Sequence, residues 1–108
     1  MNEVITQENM NLFRQISPIF NVLNDENRQK IILFLAEKKS EGMTVTEITE
    51  KIELSRPAIS HHLKMLKQCG IVSFRKKGVE HIYFITLKKP VNQMKQLISM
   101  LEEHCQLL

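Results

Sequence analysis

The chain has 108 residues and a net charge of only +3, and this length predicts a single domain. Its hydrophobic residues, 43 % of the total, form no apolar run of the roughly 18 residues that a membrane-spanning helix needs. No signal-peptide pattern is visible, so the two cysteines indicate free thiols in a reducing, cytoplasmic setting.

The N-terminal region predicts two short helical segments. Met10 and Phe13 belong to an amphipathic pattern that predicts a first helix over residues 9–16. Ser17 and Pro18 have the residue types of a helix cap and a first helical position. We therefore expect the chain to break there and to start a second, largely apolar segment.

The next helix is predicted from its ends. Asn24 and Asp25 are candidate N-caps, at the end where the helix dipole favours acidic side chains. The helix should reach about Lys39, and residues 40–42 (Ser-Glu-Gly) should end it. Its predicted core side consists of Ile31, Ile32, Phe34 and Leu35.

A capping box opens the central part of the chain. Thr44 and Glu47 have the T-x-x-E spacing, in which each side chain accepts a hydrogen bond from the backbone N–H of the other residue. The first helix of this region should run from Val45 to about Ile52, and residues 53–54 should form a turn.

A second helix follows that turn at once. Ser55 is its predicted N-cap, Pro57 lies in its first turn, and Gly70 should stop it in a left-handed conformation. The helix has an apolar stripe of Ile59, Leu63 and Leu66, and a polar stripe of Pro57, Ser60, His61 and Lys64. Such a helix suits a DNA major groove, although an ordinary helix with a solvated face has the same periodicity.

The segment after Gly70 predicts a β-hairpin. Residues 71–74 and 79–87 are rich in strand-forming side chains, and residues 75–78 (Arg-Lys-Lys-Gly) should form a cationic turn. A helix, a turn, a second helix and a hairpin with a cationic tip make up a winged helix-turn-helix. The fold class is therefore mostly α (α+β), with a two-stranded hairpin as the wing.

The last helix should open at residues 88–90 (Lys-Lys-Pro). Its apolar stripe has a 3.6-residue period and comprises Val91, Met94, Leu97, Ile98, Leu101 and Cys105. The stripe needs a cover, which is either the rest of its own domain or the same helix of a second copy. The predicted parts of the single domain, residues 1–108, are the helix-turn-helix at 44–70, the wing at 71–87, and terminal helices at 9–23 and 91–108.

Charge is unevenly distributed along the chain. From Ser55 to Pro90 there are eight Lys and Arg residues and one acid, Glu80, so this segment carries +7 and the remainder carries −4. Clustered cations of this kind are typical of a surface that binds nucleic acid.

These residues resemble the arsenical-resistance-repressor (ArsR) family of bacterial transcriptional repressors. The resemblance covers residues 16–87 and is carried by Leu23–Arg28 (LNDENR), Leu54–Lys67 (LSRPAISHHLKMLK), Gly70–Val72 and Lys77–Gly78. It implies a homodimer that holds an imperfect palindromic operator of double-stranded DNA and leaves it in response to an inducer, here unknown.

The pattern and the resemblance together assign two sets of residues. The predicted DNA-binding set is Ser55, Arg56, Pro57, Ser60, His61, Lys64, Arg75, Lys76, Lys77 and His81. His81 lies on a wing strand, where either a phosphate contact or plain solvation is possible. The predicted dimer interface is Met10, Phe13, Met94, Leu97, Ile98, Leu101 and Cys105.

The sequence departs from the family's metal sensors. The family's thiolate pair at the start of the first helix is replaced here by Thr44 and Thr46, which lack the sulfur that soft metals need. Near the end of the chain the candidate ligands stand only in one run, residues 102–105 (Glu-Glu-His-Cys), and neighbours on a helix point about 100° apart. We expect no metal and no cofactor.

Two further readings are weaker. Cys69 and Cys105 could form a redox or sulfur-sensing pair, although buried cysteine is ordinarily a small hydrophobic residue. No motif of named catalytic roles is visible, so we expect no enzyme. The predicted function is a sequence-specific DNA-binding repressor, and the alternative is a winged-helix protein-interaction module that does not read DNA.

Overall fold

The computed structural model describes residues 3–105. Within that range it contains five α-helices, one turn of 3₁₀-helix and a two-stranded antiparallel sheet. In chain order these are α1 (Gln7–Leu23), α2 (Glu26–Lys38), the 3₁₀ turn (Lys39–Glu41), α3 (Val45–Thr49), α4 (Arg56–Gln68), β1 (Val72–Lys77), β2 (Glu80–Ile85) and α5 (Lys88–His104). The last three residues of the predicted C-terminal helix lie outside the described range.

Helix α1 is continuous, so the predicted break before Pro18 is wrong. Pro18 lies inside the helix, and the Ser17 hydroxyl donates to the Phe13 carbonyl at 2.9 Å. An interior proline ordinarily destabilises a helix by about 3 kcal/mol. Here Ile16 and Ile19 are buried on either side of it. Packing on both sides of Pro18 therefore holds the helix together.

Helix α2 begins as predicted. The Asp25 carboxylate accepts a hydrogen bond from the backbone N–H of Arg28 at 3.0 Å, which confirms the N-cap. The helix ends at Lys38, one residue before the predicted limit. On the predicted core side, Ile31 and Leu35 are fully buried, whereas Ile32 and Phe34 are partly buried against the same core.

The first helix of the helix-turn-helix is shorter than predicted. The capping box of Thr44 and Glu47 is present, but α3 ends at Thr49 instead of reaching Ile52. The backbone N–H of Lys51 bonds to the Ile48 carbonyl at 2.9 Å, a three-residue spacing that tightens the chain into a turn. Ile52 lies in this turn and its side chain is buried in the core. Its apolar character therefore does not indicate a longer helix.

Helix α4 confirms the predicted cap and core stripe. The Ser55 hydroxyl accepts a hydrogen bond from the backbone N–H of Ala58 at 3.3 Å. Gly70, just past the end of the helix, has a φ of 76°, the left-handed conformation expected there. The buried residues of the helix are the predicted Ile59, Leu63 and Leu66.

The wing has a tighter tip than predicted. Strand β1 runs through Lys77, whose partner is Glu80, so only Gly78 and Val79 connect the strands. Gly78 has a φ of 64°, as a two-residue hairpin requires at its first position. Arg75 and Lys76 are therefore strand residues, and the four-residue cationic turn predicted at 75–78 is wrong.

Two hydrophobic clusters hold the molecule together. The larger one joins α2, α3, α4 and the start of β1 to the C-terminal half of α1. A paired bridge between Met43 and Tyr83 attaches the wing to this core, with N–H to carbonyl distances of 2.9 and 2.8 Å. The smaller cluster joins α1 to α5 and consists of Ile16, Leu97 and Met100, with Leu12 and Met94 against it. Among residues 3–105, none of the helices combines the length and the hydropathy of a membrane-spanning segment.

Candidate nucleic-acid interface

The outward side of α4 carries the predicted contact residues. The burial of Ile59 and Leu63 turns the opposite side of the helix to the surface. The predicted residues of this segment are all exposed, namely Ser55, Arg56, Pro57, Ser60, His61 and Lys64. The first turn of α4 contains no acidic residue, so nothing neutralises the partial positive charge at that helix end.

Arg56 has a structural bond as well as a surface position. Its guanidinium donates to the hydroxyl of Thr46 at 2.5 Å, which ties the start of α4 to α3. A guanidinium has five N–H donors, so this bond leaves others free for a phosphate. Arg56 can therefore fix the angle between the two helices and contact a polyanion at the same time.

The structure places Arg75 away from the wing tip. Its guanidinium donates to the carbonyls of Ser40 at 3.0 Å and Glu41 at 2.9 Å, and it lies 5.5 Å from the ring centre of Phe84. Two bonds to the 3₁₀ turn hold the side chain beside the body of the domain. Arg75 thus orients the wing, which the prediction of a free cation at the tip did not include.

Lys76 and Lys77 lie on opposite faces of the wing. Lys76 pairs across the strands with His81 and Lys77 with Glu80, and neighbouring strand residues point to opposite faces. Both lysines are exposed. Val79, at the tip between the strands, is fully exposed. The predicted DNA-binding set did not include this residue.

His81 lies in the cleft between the wing and α4. Its ring stacks on Phe74 with 4.0 Å between ring centres, and it is only partly exposed. The cleft has a volume of about 320 Å³ and also contains Arg56, Ser60 and Glu80. His81 therefore faces the outward side of α4, and its contact with nucleic acid stays a prediction.

A second histidine, His62, connects α4 to the rest of the domain through Arg28. An N–H of the Arg28 guanidinium lies 3.2 Å from Nδ1 of His62, and another donates to the Val22 carbonyl at 2.6 Å. Arginine has donors only, so Nδ1 accepts and the imidazole is neutral in this arrangement. Burial, the largest cause, lowers the pKa of His62; Asp25 opposes the shift, and Arg28 and His61 add to it. This contact joins α4 to α1 and α2.

The cations of this surface are free of carboxylate partners. Within residues 3–105, the single ion pair is the one between Lys30 and Glu26 on α2, at 3.7 Å. No basic residue of α4 or the wing is therefore neutralised by an ion pair within the described residues. Their field is the electrostatic feature that a polyanion would meet first.

The predicted dimer residues fall into two groups. Met10, Phe13, Ile98 and Leu101 are exposed, Cys105 is exposed beyond the end of α5, and Met94 is partly buried. Leu97 packs against Ile16 and is only 6 % exposed, so little of its surface remains for a partner, and its place in a dimer interface stays a prediction. Met100, which is off the predicted stripe, is buried beside it.

Phe20 is a further exposed apolar side chain that the pattern missed. It follows Phe13 by seven residues, which puts the two rings on one side of α1, and half of its surface is accessible. The predicted break at Pro18 separated the two phenylalanines. A continuous helix would have revealed this stripe from the sequence.

The cysteines and possible metal ligands are dispersed. Within residues 3–105, no three His, Cys, Asp or Glu side chains approach closely enough to hold a metal ion. Cys69 lines a cavity of about 420 Å³ between α1 and the end of α4, and burial raises the pKa of its thiol. That shift disfavours the reactive thiolate. Cys105 is exposed.

Residues 25–73 match the family described as bacterial regulatory protein, arsR family. An uncharacterized HTH-type transcriptional regulator of Methanocaldococcus jannaschii is 34 % identical, over 87 % of this chain and 99 % of its own. The transcriptional repressor SdpR of Bacillus subtilis is 35 % identical over 75 % and 90 %. The cadmium resistance transcriptional regulatory protein CadC of Listeria innocua is 36 % identical over 82 % and 72 %.

Solved structures share the fold. An ArsR-like transcriptional regulator from Rhodococcus sp. RHA1 has a TM-score of 0.70 and 25 % identity, covering 85 % of this chain and 84 % of that one. A homodimeric winged helix-turn-helix DNA-binding domain from Mycobacterium bovis has a TM-score of 0.69 and 21 % identity, covering 92 % and 89 %.

Proposed function

This chain belongs to the arsR family of bacterial regulatory proteins, and we propose that it is a homodimeric repressor that binds operator DNA in the cytoplasm. The observation that carries the proposal is the cationic surface formed by α4 and the wing, where Arg56, Lys64, Lys76 and Lys77 are exposed and without carboxylate partners. The function is regulatory rather than catalytic, and the whole chain acts as one domain.

The two elements divide the work of DNA recognition. Ser60, His61 and Lys64 lie on the outward side of a capped helix, where they reach base edges and phosphates in the major groove. Lys76 and Lys77 extend from the wing and follow the sugar–phosphate backbone. His81 lies between these groups and contacts a phosphate at the edge of the cleft.

A dimer follows from the apolar surface of the terminal helices. Phe13 and Phe20 on α1 and Ile98 and Leu101 on α5 remain exposed in the single chain. A two-fold axis buries the same patch on both copies. The radius of gyration, 16.9 Å, exceeds the roughly 13 Å of a compact domain of this length. The elongated shape supports an interface along the α1 and α5 pair.

The dimer sets the form of the operator. Two copies place their recognition helices about one turn of DNA apart, roughly 34 Å, so the site is an imperfect palindrome. Selection of bound fragments from a genomic DNA pool, followed by titration at several salt concentrations, tests this. The expected result is a palindromic sequence bound more tightly than random DNA, with an affinity that falls as salt rises.

Variants of α4 test whether its side chains contact the bases. Ser60→Ala and His61→Ala should change the preferred bases, with a loss of about 1–3 kcal/mol where a base contact disappears. Glu37→Gln, an exposed change on α2, serves as the control. If the wild-type protein selects no sequence and binds DNA no better than the variants do, the protein-interaction module takes the place of the repressor.

A further inference from the structure

A cavity of about 760 Å³, wide open to solvent, lies between the DNA-binding half of the molecule and the terminal helices. Its walls come from α1, the end of α4, the start of β1 and the start of α5. This position makes it the place where a bound molecule would touch both the helix that reads DNA and the pair of helices proposed to form the dimer.

The cavity is strongly cationic. Lys67 of α4 and Lys88 and Lys89 of α5 line it, and no Asp or Glu is among its lining residues. The stem of Lys89 runs beside Gly70: a Cβ added to that glycine would lie 3.9 Å from Cβ and Cδ of the lysine. In the part of the chain that the structure describes, none of the three lysines forms an ion pair. The Lys67 ammonium lies 5.3 Å from the centre of the Phe74 ring, and among the described residues the ammonium groups of Lys88 and Lys89 have no carboxylate partner.

Uncharged hydrogen-bonding groups complete the lining. Asn92, Gln93 and Gln96 of α5 and Gln15 of α1 contribute amides that both donate and accept. No side-chain hydrogen bond occupies the amides of Asn92 or Gln96 between residues 3 and 105. The mixture of unpaired ammonium groups and free amides matches the needs of a ligand with several charged oxygens.

We propose that this cavity is an effector site for a small polyanion that carries two or more phosphate or carboxylate groups. The volume lies within the range of about 300–1,000 Å³ that is typical of small-molecule sites. The inference rests on the proposed function only where it connects occupancy of the cavity to operator binding. Attachment of the ligand itself depends on the lysines and amides alone.

The position of the cavity is compatible with a dimer. Gln96 and Ile98 are two residues apart on α5, which separates them by about 200° around the helix axis. The cavity therefore lies on the side of α5 opposite the exposed apolar stripe. A ligand bound between Lys67 and Lys89 can shift the end of α4 relative to α5 while the apolar stripe stays covered.

The test uses the full-length protein, with pyrophosphate and citrate as phosphate and carboxylate probes. Calorimetric titration at constant ionic strength measures their binding to the wild type, to Lys89→Gln and to Lys95→Gln. Lys95 is exposed on the same helix but does not line the cavity, so its variant is the charge-matched control. Loss of one charge-assisted bond should weaken binding by about tenfold or more in Lys89→Gln and leave Lys95→Gln unchanged.

A second arm measures operator affinity by fluorescence anisotropy with and without the better probe. A coupled site should lower wild-type operator affinity by about fivefold or more, and this effect should disappear in Lys89→Gln. Absence of probe binding, or equal weakening in both variants, would overturn the site. Binding without any change in operator affinity would overturn its effector role.

DNA itself is the competing source of anionic oxygens. If the three lysines contact operator phosphates, Lys89→Gln should weaken DNA binding with no probe present and lower its salt dependence, and that result would overturn the proposal. Failure of the wild type to bind any DNA would contradict the proposed repressor. The calorimetric result would then still decide whether the cavity binds a polyanion.

Discussion

Arg75 and Lys77 are two residues apart on one face of the wing, but their surroundings give them different tasks. Arg75 donates two hydrogen bonds to carbonyls of the 3₁₀ turn, whereas Lys77 projects from the end of β1 beside the tip. One side chain positions the wing and the other is available to a phosphate. We expect removal of either side chain to weaken DNA binding, by the loss of wing orientation for Arg75 and by the loss of a phosphate contact for Lys77.

Lys77→Ala should weaken binding to all DNA sequences alike. A phosphate contact carries no base information, so the slope of log affinity against log salt should fall by about one unit. Titration of operator and random duplexes at four salt concentrations measures both effects. Lys38→Ala, the same charge change at the end of α2, should leave the slope unaltered. A change in base preference for Lys77→Ala would contradict its role as a phosphate contact.

His62 makes stability depend on pH. Its folded-state pKa lies below the ordinary value of 6.5, chiefly because of burial, so the unfolded chain binds the proton more readily than the folded one. Stability should therefore be fully present above pH 6.5 and decline as the pH falls below it. Protonated Nδ1 also loses its acceptor role toward Arg28.

The measurement is thermal unfolding between pH 7.5 and pH 5. The wild type should lose melting temperature as the pH falls, and His62→Gln should lose less because it has no proton to gain. His104→Gln at the exposed end of α5 is the matched control and should behave as the wild type does. Equal pH dependence in the wild type and in His62→Gln would show that other groups cause it.

At the scale of elements, the caps were the most informative signals in the sequence. Asp25, Thr44 and Ser55 each predicted a helix start correctly, because a cap depends on one side chain and a backbone N–H only three residues further along. The end of α3 was predicted too late in the chain, because Ile52 fits the apolar pattern of the helix although it lies in the turn that follows. The position of Arg75 was missed because its partners are 34 and 35 residues away, beyond any local pattern.

The terminal helices also show that a local sequence pattern does not reveal tertiary contacts. Periodicity located the apolar residues of α5, but it could not separate Leu97, which covers Ile16 within the chain, from Ile98, which is 51 % exposed. Both lie within one broad stripe. The packing of α1 against α5 determines which of these residues is buried within the chain and which remains exposed to a partner.

Phe20→Glu combined with Ile98→Glu should convert the dimer into a folded monomer. Both side chains are about half exposed, so a carboxylate at each is tolerated by the single chain but is buried unpaired at a dimer interface. Light scattering after size-exclusion chromatography measures the mass, and circular dichroism checks the fold. Leu33→Glu, an exposed apolar position on α2, should remain dimeric. A wild-type mass of one chain at micromolar concentration would contradict the proposed interface.

At the scale of the whole molecule, regulation must pass between two differently packed regions. One cluster joins α2, α3, α4 and the start of β1 to the C-terminal half of α1, and a smaller one joins α1 to α5. Arg28 of α2 connects α1 to α4 through the Val22 carbonyl and His62, and the lysine-lined cavity lies where the end of α4 approaches α5. A signal that changes either connection would change the angle at which the two recognition helices meet DNA.

Soft metals should not supply that signal. The Listeria innocua relative is named for cadmium resistance, but here Thr44 and Thr46 stand at the start of the first helix of the helix-turn-helix. Both hydroxyls already form hydrogen bonds within the chain. Thr44 forms the capping box with Glu47, and Thr46 accepts a hydrogen bond from Arg56. Hydroxyl groups are poor ligands for Cd²⁺ and arsenite, which bind thiolates.

Cadmium, zinc and arsenite at stoichiometric concentrations should therefore leave the operator complex intact. Release is followed by fluorescence anisotropy and metal content by mass spectrometry under native conditions. The cadmium resistance regulatory protein of Listeria innocua is assayed in parallel for comparison. A bound metal that leaves DNA affinity unchanged would be one held by exposed surface ligands such as Cys105 or His104. Stoichiometric binding together with release would mean that thiols and imidazoles of two copies meet across the dimer axis, because no such group assembles among residues 3–105 of one chain.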